Sequence, residues 1–344
     1  MSSLILADGK MVEEFKRPYF IAEVNSSHNG DIEVARKMVD AAVEAKCDCV
    51  KFQSWSAQSL YSQSYYKANP IAKRFVDKLS LTSEELKKMA DYCHEKGIGF
   101  SSTPYSKDEV DFLVEECKIP FIKIASMEVN NPEFLKYIAS KNVPIVLSTG
   151  MAEMNEIERA VQSIEDAGNQ HIAILHCVSI YPASVQTINL NNIIGLRERF
   201  KNYPIGFSDH TLGDAVAIAA TAYGASIIEK HLTLDSKRIG MDNQMAMEPE
   251  DLKILIQKCE NVAKALGVKE RIVNDAEMKQ RENMRRSIVT TKKLAAGHVL
   301  RLEDLNVKRP GTGIPPERIQ DLVGMKINKD IEPDMLIMET DLIK

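Results

Sequence analysis

Eight short runs rich in β-branched and aromatic residues recur between residues 19 and 233, and nearly every gap between them has helical periodicity. The runs are YFIAEV (19–24), CVKFQS (49–54), GFSST (99–103), FIKIAS (121–126), IVLSTG (145–150), IAILHCV (172–178), PIGFSDH (204–210) and SIIEKHLT (226–233). Strands alternating with helices are the pattern of βα units around a parallel sheet. The gaps include VARKMVDAAVEA and EELKKMADYCHEKG; Thr82 precedes the latter with Glu85 three residues on, a capping-box signature. After the eighth run, EDLKILIQKCENVAKALG places Leu252, Leu255 and Ile256 on one side, as a helix covering a sheet requires. The connection from Ser56 to Leu81 is longer and has room for a lid or an extra helix.

Eight parallel strands with covering helices give an α/β expectation of a (β/α)8 TIM barrel, whose active site lies at the C-terminal strand ends. Those ends supply Glu23, Lys51, Gln53, Thr103, Lys123, Ser126, Glu128, Ser148, Cys177, Ser179, Ser208, His210 and His231. A doubly wound sheet would concentrate such residues at one switch point. Here every strand contributes, which favours the barrel.

The pattern changes after Gly267. KERIVNDAEMKQRENMRR is charged and poor in large apolar residues, and short β-like pieces broken by AAG, PGTG and EPD follow it. The expected organisation is a barrel over 1–268, a linker over 269–284, and a small mostly-β domain over 285–344 that gains stability by packing on a barrel. The 344 residues carry a net charge of −5, which argues against broad nucleic-acid binding, and no apolar run approaches the ~20 residues of a membrane span. Six scattered cysteines without C-x-x-C spacing argue for free thiols. With an amino terminus that lacks a basic n-region, these features point to the cytoplasm, with no membrane or nucleic-acid partner.

His210 and His231 end neighbouring strands, so both belong at one rim. Two imidazoles suit a divalent metal and leave positions open for water and substrate. Each alone is as readily a hydrogen-bonded core histidine. Lys51 and Lys123 interrupt apolar strands, where an unpaired ammonium is costly. They suit an anionic substrate, a Schiff base, or ion pairs with Glu23 and Glu128. The hydroxyls of Thr103, Ser126, Ser148 and Ser208 strengthen the anion reading, and no G-x-S-x-G elbow supports a nucleophilic serine. Glu23 and Glu128 are expected to project into the mouth, to move protons or to neutralise lysines. Asp242, in GMDNQMAMEPED, is a turn-former or a ligand contact. Arg309, in KRPGTGIPPE, is a turn residue or an anion contact on a proline-stiffened loop.

The motifs IAEVNSSHNG, VKFQS, SSTP, IKIASMEVNN, LSTGM, LHCVSIYP, IGFSDHT and IEKHLTLD occur in the order seen in the sialic acid (nonulosonate) synthases. The tail with KRPGTGIPPERIQDLVG resembles their antifreeze-like (SAF) domain. The resemblance implies condensation of phosphoenolpyruvate with an N-acetylated amino sugar, giving a nine-carbon 2-keto-3-deoxy acid and phosphate. It implies that Lys51, Thr103, Lys123, Ser126, Ser148 and Ser208 hold phosphoenolpyruvate. His210 and His231 would hold a divalent metal, Mn2+ being the family's usual ion, with Mg2+ or Co2+ as alternatives. Glu23 and Glu128 are the candidates for proton management, while Gln53, Tyr181, Asp242 and Arg309 would face the sugar. In that family the small domain covers the partner's barrel, implying a domain-swapped homodimer.

Departures from the family pattern fall in two places. The family reads E-x-G-x-N-H-x-G after the first strand, where this chain has Asn25 for the glycine and Ser27 for the asparagine. After the eighth strand Met241 and Asn243 flank Asp242. The sugar is therefore open between N-acetylmannosamine, a 2,4-diacetamido hexose and another amino sugar. Two other readings stand beside the synthase: a Schiff-base aldolase using Lys123 or Lys51, and a non-catalytic sugar-binding protein on the same scaffold.

Overall fold

The computed structural model describes residues 2–238 and 240–343, which divide into two units, 1–267 and 268–344. In the first, all eight expected strands form: β3 (Tyr19–Glu23), β4 (Cys49–Gln53), β5 (Gly99–Thr103), β6 (Ile122–Ile124), β7 (Ile145–Ser148), β8 (Ile172–Cys177), β9 (Ile205–Asp209) and β10 (Ile227–His231). They pair in parallel in the order β5-β4-β3-β10-β9-β8-β7-β6. The ring is nearly closed. Between β5 and β6, the Ser101 hydroxyl donates to the Phe121 carbonyl at 2.9 Å, a side chain standing in for a ladder bond.

The period of two along each strand sorts the side chains. Inside the lower barrel lie Tyr19, Ile21, Cys49, Phe121, Val146, Ala173, Leu175 and Ile227. Leu4, Leu6 and Val12 pack with them, brought there by an antiparallel hairpin of β1 (Ser3–Ile5) and β2 (Met11–Glu13) that plugs the lower end. That hairpin was not expected from the sequence. The larger core lies between strands and helices and includes Phe20, Val50, Phe52, Phe100 and Ile228.

The capping box of Thr82 and Glu85 forms at the start of α4 (Ser83–Glu95), and Leu252, Leu255 and Ile256 are buried on α10 (Pro249–Leu266). The long connection folds as α2 (Gln63–Ala68) and α3 (Pro70–Leu79). Trp55, Tyr66, Val76 and Leu79 give it a small core of its own.

In the second unit, residues read as linker carry a helix, α11 (Asp275–Met284), started by the Asn274 side chain accepting from the Glu277 amide. Beyond it, β11 (Ser287–Thr290) pairs with β12 (Leu305–Lys308), and β13 (Lys326–Ile327) with β14 (Leu342–Ile343), all antiparallel. Ile288, Leu294, Leu300, Ile314, Leu322, Ile327 and Ile337 form its core. Asp304 is buried, accepting from the Arg301 amide and from His298.

Candidate active site

Parallel register sets the level of every inward-facing residue at the C-terminal end of the barrel. Glu23 is opposite both Lys51 and His231, while Ser208 is opposite both Glu229 and Cys177. They open into a cavity of about 390 Å³.

Its floor is a four-charge cluster. The Lys51 ammonium pairs with Glu23, lies 3.7 Å from Glu229, and donates to the Thr103 hydroxyl at 3.2 Å. Lys123 donates to Ser148 at 2.7 Å and lies 3.8 Å from the other Glu229 oxygen. Ser208 donates to that same oxygen at 2.8 Å. All four charged groups are buried, and the two positive and two negative charges cancel, as burial demands. Burial alone would raise the Glu229 pKa, but Lys123, Lys51 and Ser208 outweigh it and hold the carboxyl at about 2. Burial raises Glu23 despite its lysine partner. The lysines also diverge. Burial opposes charge on both, yet Glu229 and Glu23 raise Lys51, whereas Lys123 is lowered.

The rim carries the imidazoles, with ring centroids 5.4 Å apart. His210 Nδ1 lies 2.7 Å from the Val178 carbonyl oxygen, so that nitrogen carries the hydrogen and a neutral form of the ring would offer Nε2. His231 Nδ1 is buried without a hydrogen-bond partner among the described residues; the Asp242 carboxylate lies 3.8 Å away. Burial above all, with the Lys51 ammonium adding to it, pushes the His231 pKa well down, which keeps its ring neutral. A neutral imidazole with an orphaned nitrogen beside a second imidazole fits a divalent cation. Among the described residues no group of three or more His, Cys, Asp or Glu side chains is arranged so as to hold a metal ion.

Thr103, Ser126, Ser148, Ser208, Gln53, Tyr181 and Asp242 all line the cavity, as expected. Tyr181 packs on His210 with centroids 4.2 Å apart. Ser126 accepts from the Gly150 amide at 2.9 Å, and a Cβ at Gly150 would strike Ser126 and Ser179, so LSTGM requires its glycine. Asp209 faces outward, where it binds Lys230 and Thr211, a purely structural role.

Glu128 corrects an expectation. It does not line the cavity. It falls on a one-turn helix beyond β6, where its carboxylate takes the Asn131 side chain at 2.8 Å. Arg309 is exposed on the turn after β12 of the second unit.

Sequence reasoning missed Glu229 and Tyr105. The period of two that points His231 inward also points Glu229 inward, so the signal was present. Tyr105 follows SSTP and lines the cavity; its hydroxyl donates to Gln53 Oε1 at 2.5 Å, which fixes the Gln53 side chain and leaves its amide nitrogen free to donate.

A family profile described as the NeuB family matches residues 38–271, and one described as the SAF domain matches 285–343. The N,N'-diacetyllegionaminic acid synthase of Campylobacter jejuni is 36% identical over 335 residues, covering 94% of this chain and all of that one. Its counterpart from Legionella pneumophila is 34% identical, covering 91% of each. The crystal structure of an N-acetylneuraminic acid synthetase from Leptospira borgpetersenii in complex with citrate superposes with a TM-score of 0.75 at 30% identity, over 81% of this chain and 95% of that one.

Proposed function

The chain belongs to the NeuB family and is an enzyme of nonulosonic acid synthesis, and from that premise we propose that it condenses phosphoenolpyruvate with an N-acetylated amino sugar. The observation that carries the reading is the floor of the cavity. Lys51 and Lys123, with Thr103, Ser126, Ser148 and Ser208 around them, offer a phosphate and a carboxylate two ammoniums and four hydroxyls.

In this reading the lysines and hydroxyls fix phosphoenolpyruvate with its C3 toward the rim, where Gln53, Tyr181 and Asp242 hold the open-chain sugar. C3 bonds to the aldehyde carbon, water adds at C2, and phosphate departs, leaving the 2-keto acid. Glu23, whose pKa burial raises, is the carboxyl in the cavity suited to carry a proton. A divalent cation, Mn2+ in the first instance, held by His210 and His231, would supply Lewis-acid polarisation of the aldehyde oxygen.

A second copy of the chain would bring Arg309 to the sugar as a domain-swapped homodimer. The exposed apolar rim supports a cover there: Met151 is 71% exposed and Met127 52%. The six free cysteines, five of them buried, suit the cytoplasm.

The test is phosphate release from phosphoenolpyruvate with Mn2+ across a panel of N-acetylated hexosamines and their 6-phosphates. Release with a particular sugar, abolished by a chelator, is the expected result; release that ignores chelation removes the metal, and no binding of phosphoenolpyruvate removes the synthase. The lowered pKa of Lys123 favours one competitor, the Schiff-base aldolase. Borohydride trapping of a pyruvate adduct in the same reactions would establish it instead.

A further inference from the structure

Two loops meet at the cavity mouth, the one after β3 and the one before α10. The Asn25 side-chain amide donates to the Asp242 carboxylate, and the Ser27 hydroxyl donates to Asn243 Oδ1 at 2.7 Å. Asn25 adopts φ +39°, a conformation that glycine takes freely and asparagine takes at some cost. Its backbone amide also donates to Glu23 at 2.6 Å. One strained, buried residue therefore joins the charged floor to the rim, and strain retained in a site points to a use for the side chain.

The use follows from which atoms are left over. Asn25 spends one amide hydrogen on Asp242 and keeps a second. Asp242 gives one oxygen to Asn25, and its other oxygen accepts no hydrogen bond among the described residues. Met241 lines the same cavity beside them. The three together present an anionic acceptor, an N–H donor and an apolar surface. An acetamido substituent has the complementary set, an N–H, a carbonyl oxygen and a methyl group. A hydroxyl also donates and accepts, but from a single atom that cannot span both groups as an amide does, and it has no methyl group to cover Met241.

We propose that Asn25 is a specificity-determining residue that, with Asp242 and Met241, reads an acetamido group on the sugar. The Asp242 carboxylate accepts the substituent's N–H, the Asn25 amide donates to its carbonyl oxygen, and its methyl group rests on Met241. Asn25 also orients Asp242, so losing it disturbs two of the three contacts. The inference rests on the synthase reading and goes further by naming which substituent is sensed and by what.

The experiment is Asn25→Gly, chosen because glycine accepts the backbone conformation and the chain keeps its fold, which an unchanged or raised Tm confirms. Wild type and variant are assayed with N-acetylmannosamine against mannose, and with 2,4-diacetamido-2,4,6-trideoxymannose against its 4-hydroxy counterpart. The expected result is a fall of about tenfold in the preference for acetamido over hydroxyl in at least one pair, with the KM for phosphoenolpyruvate unmoved. Equal losses on both members of each pair, or an unchanged preference, overturn the inference and leave the synthase standing. A wild-type chain that binds phosphoenolpyruvate yet turns over none of the four sugars overturns the inference alone; one that binds no phosphoenolpyruvate overturns both.

Discussion

Glu229 is the residue on which the electrostatics of the floor turn. It touches both lysines, and without it two ammoniums would share a buried site with only Glu23 to balance them. Glu229→Gln keeps the shape and an acceptor for Ser208 but removes the charge. Breaking a buried pair from one side costs about 3 kcal/mol, and a carboxyl held at about 2 rather than 4.5 corresponds to a similar figure. We expect the variant to lose about that much by urea denaturation at pH 7. Because the folded pKa is depressed, the contribution is complete above the ordinary carboxyl pKa and disappears as pH falls from there toward 2. The gap between wild type and variant should therefore narrow between pH 5 and pH 2.5, whereas a gap that widens in acid would mean the carboxylate is not stabilised. Glu23 has the opposite sign. Its raised pKa means acid relieves a buried charge, so wild-type stability should decline less steeply than Glu229 alone dictates. Phosphoenolpyruvate should restore much of the variant's lost stability, since it brings anionic charge to the lysines.

The excursion between β4 and α4 contributes to the site through its small core. Tyr61 and Tyr105 both line the cavity, and Tyr66, Trp55, Val76 and Leu79 pack beneath them. The loop after β3 is pressed close to it, since a Cβ on Gly30 would collide with the Lys78 carbonyl of α3. Tyr66→Ala should remove about 3 kcal/mol of local packing, raise the KM for the sugar several-fold, and open residues 56–81 to limited proteolysis. Cleavage without any change in KM would show that the excursion does not shape the site. The elements also show how far the sequence could be read. All eight barrel strands were legible because each is a compact apolar run, and the capping box of Thr82 and Glu85 is a local, two-residue signal. The N-terminal hairpin was not, because strands of three residues carry too little pattern. In the site, His210 and His231 stood out as polar groups at strand ends. Glu128 misled because the chain turns into a one-turn helix beyond β6, ending the alternation that would have pointed it inward. The meeting of Asn25 with Asp242 joins positions 217 residues apart, which no local pattern encodes.

At the scale of the whole molecule, the proposed dimer predicts that an active site draws on two chains. His231→Ala would disable a barrel and Arg309→Ala a small domain, so each variant alone should be inactive. Co-expressed, they would form hybrids in which one intact barrel meets one intact small domain, and about a quarter of the wild-type activity should return. No recovery, with hybrids demonstrated by tagging, would place Arg309 in its own chain's site or in none. The barrel itself divides differently, by height. Its lower interior is apolar and closed by the hairpin of β1 and β2, while its upper interior is charged and hydroxylated. The barrel's apolar interior thus lies at the end away from the cavity, and the loops at the mouth take no part in packing it. Mutations there can accumulate and be tested by selection without first threatening the chain's survival. A scaffold divided in this way is evolvable: its descendants can exchange one sugar for another while inheriting the same barrel.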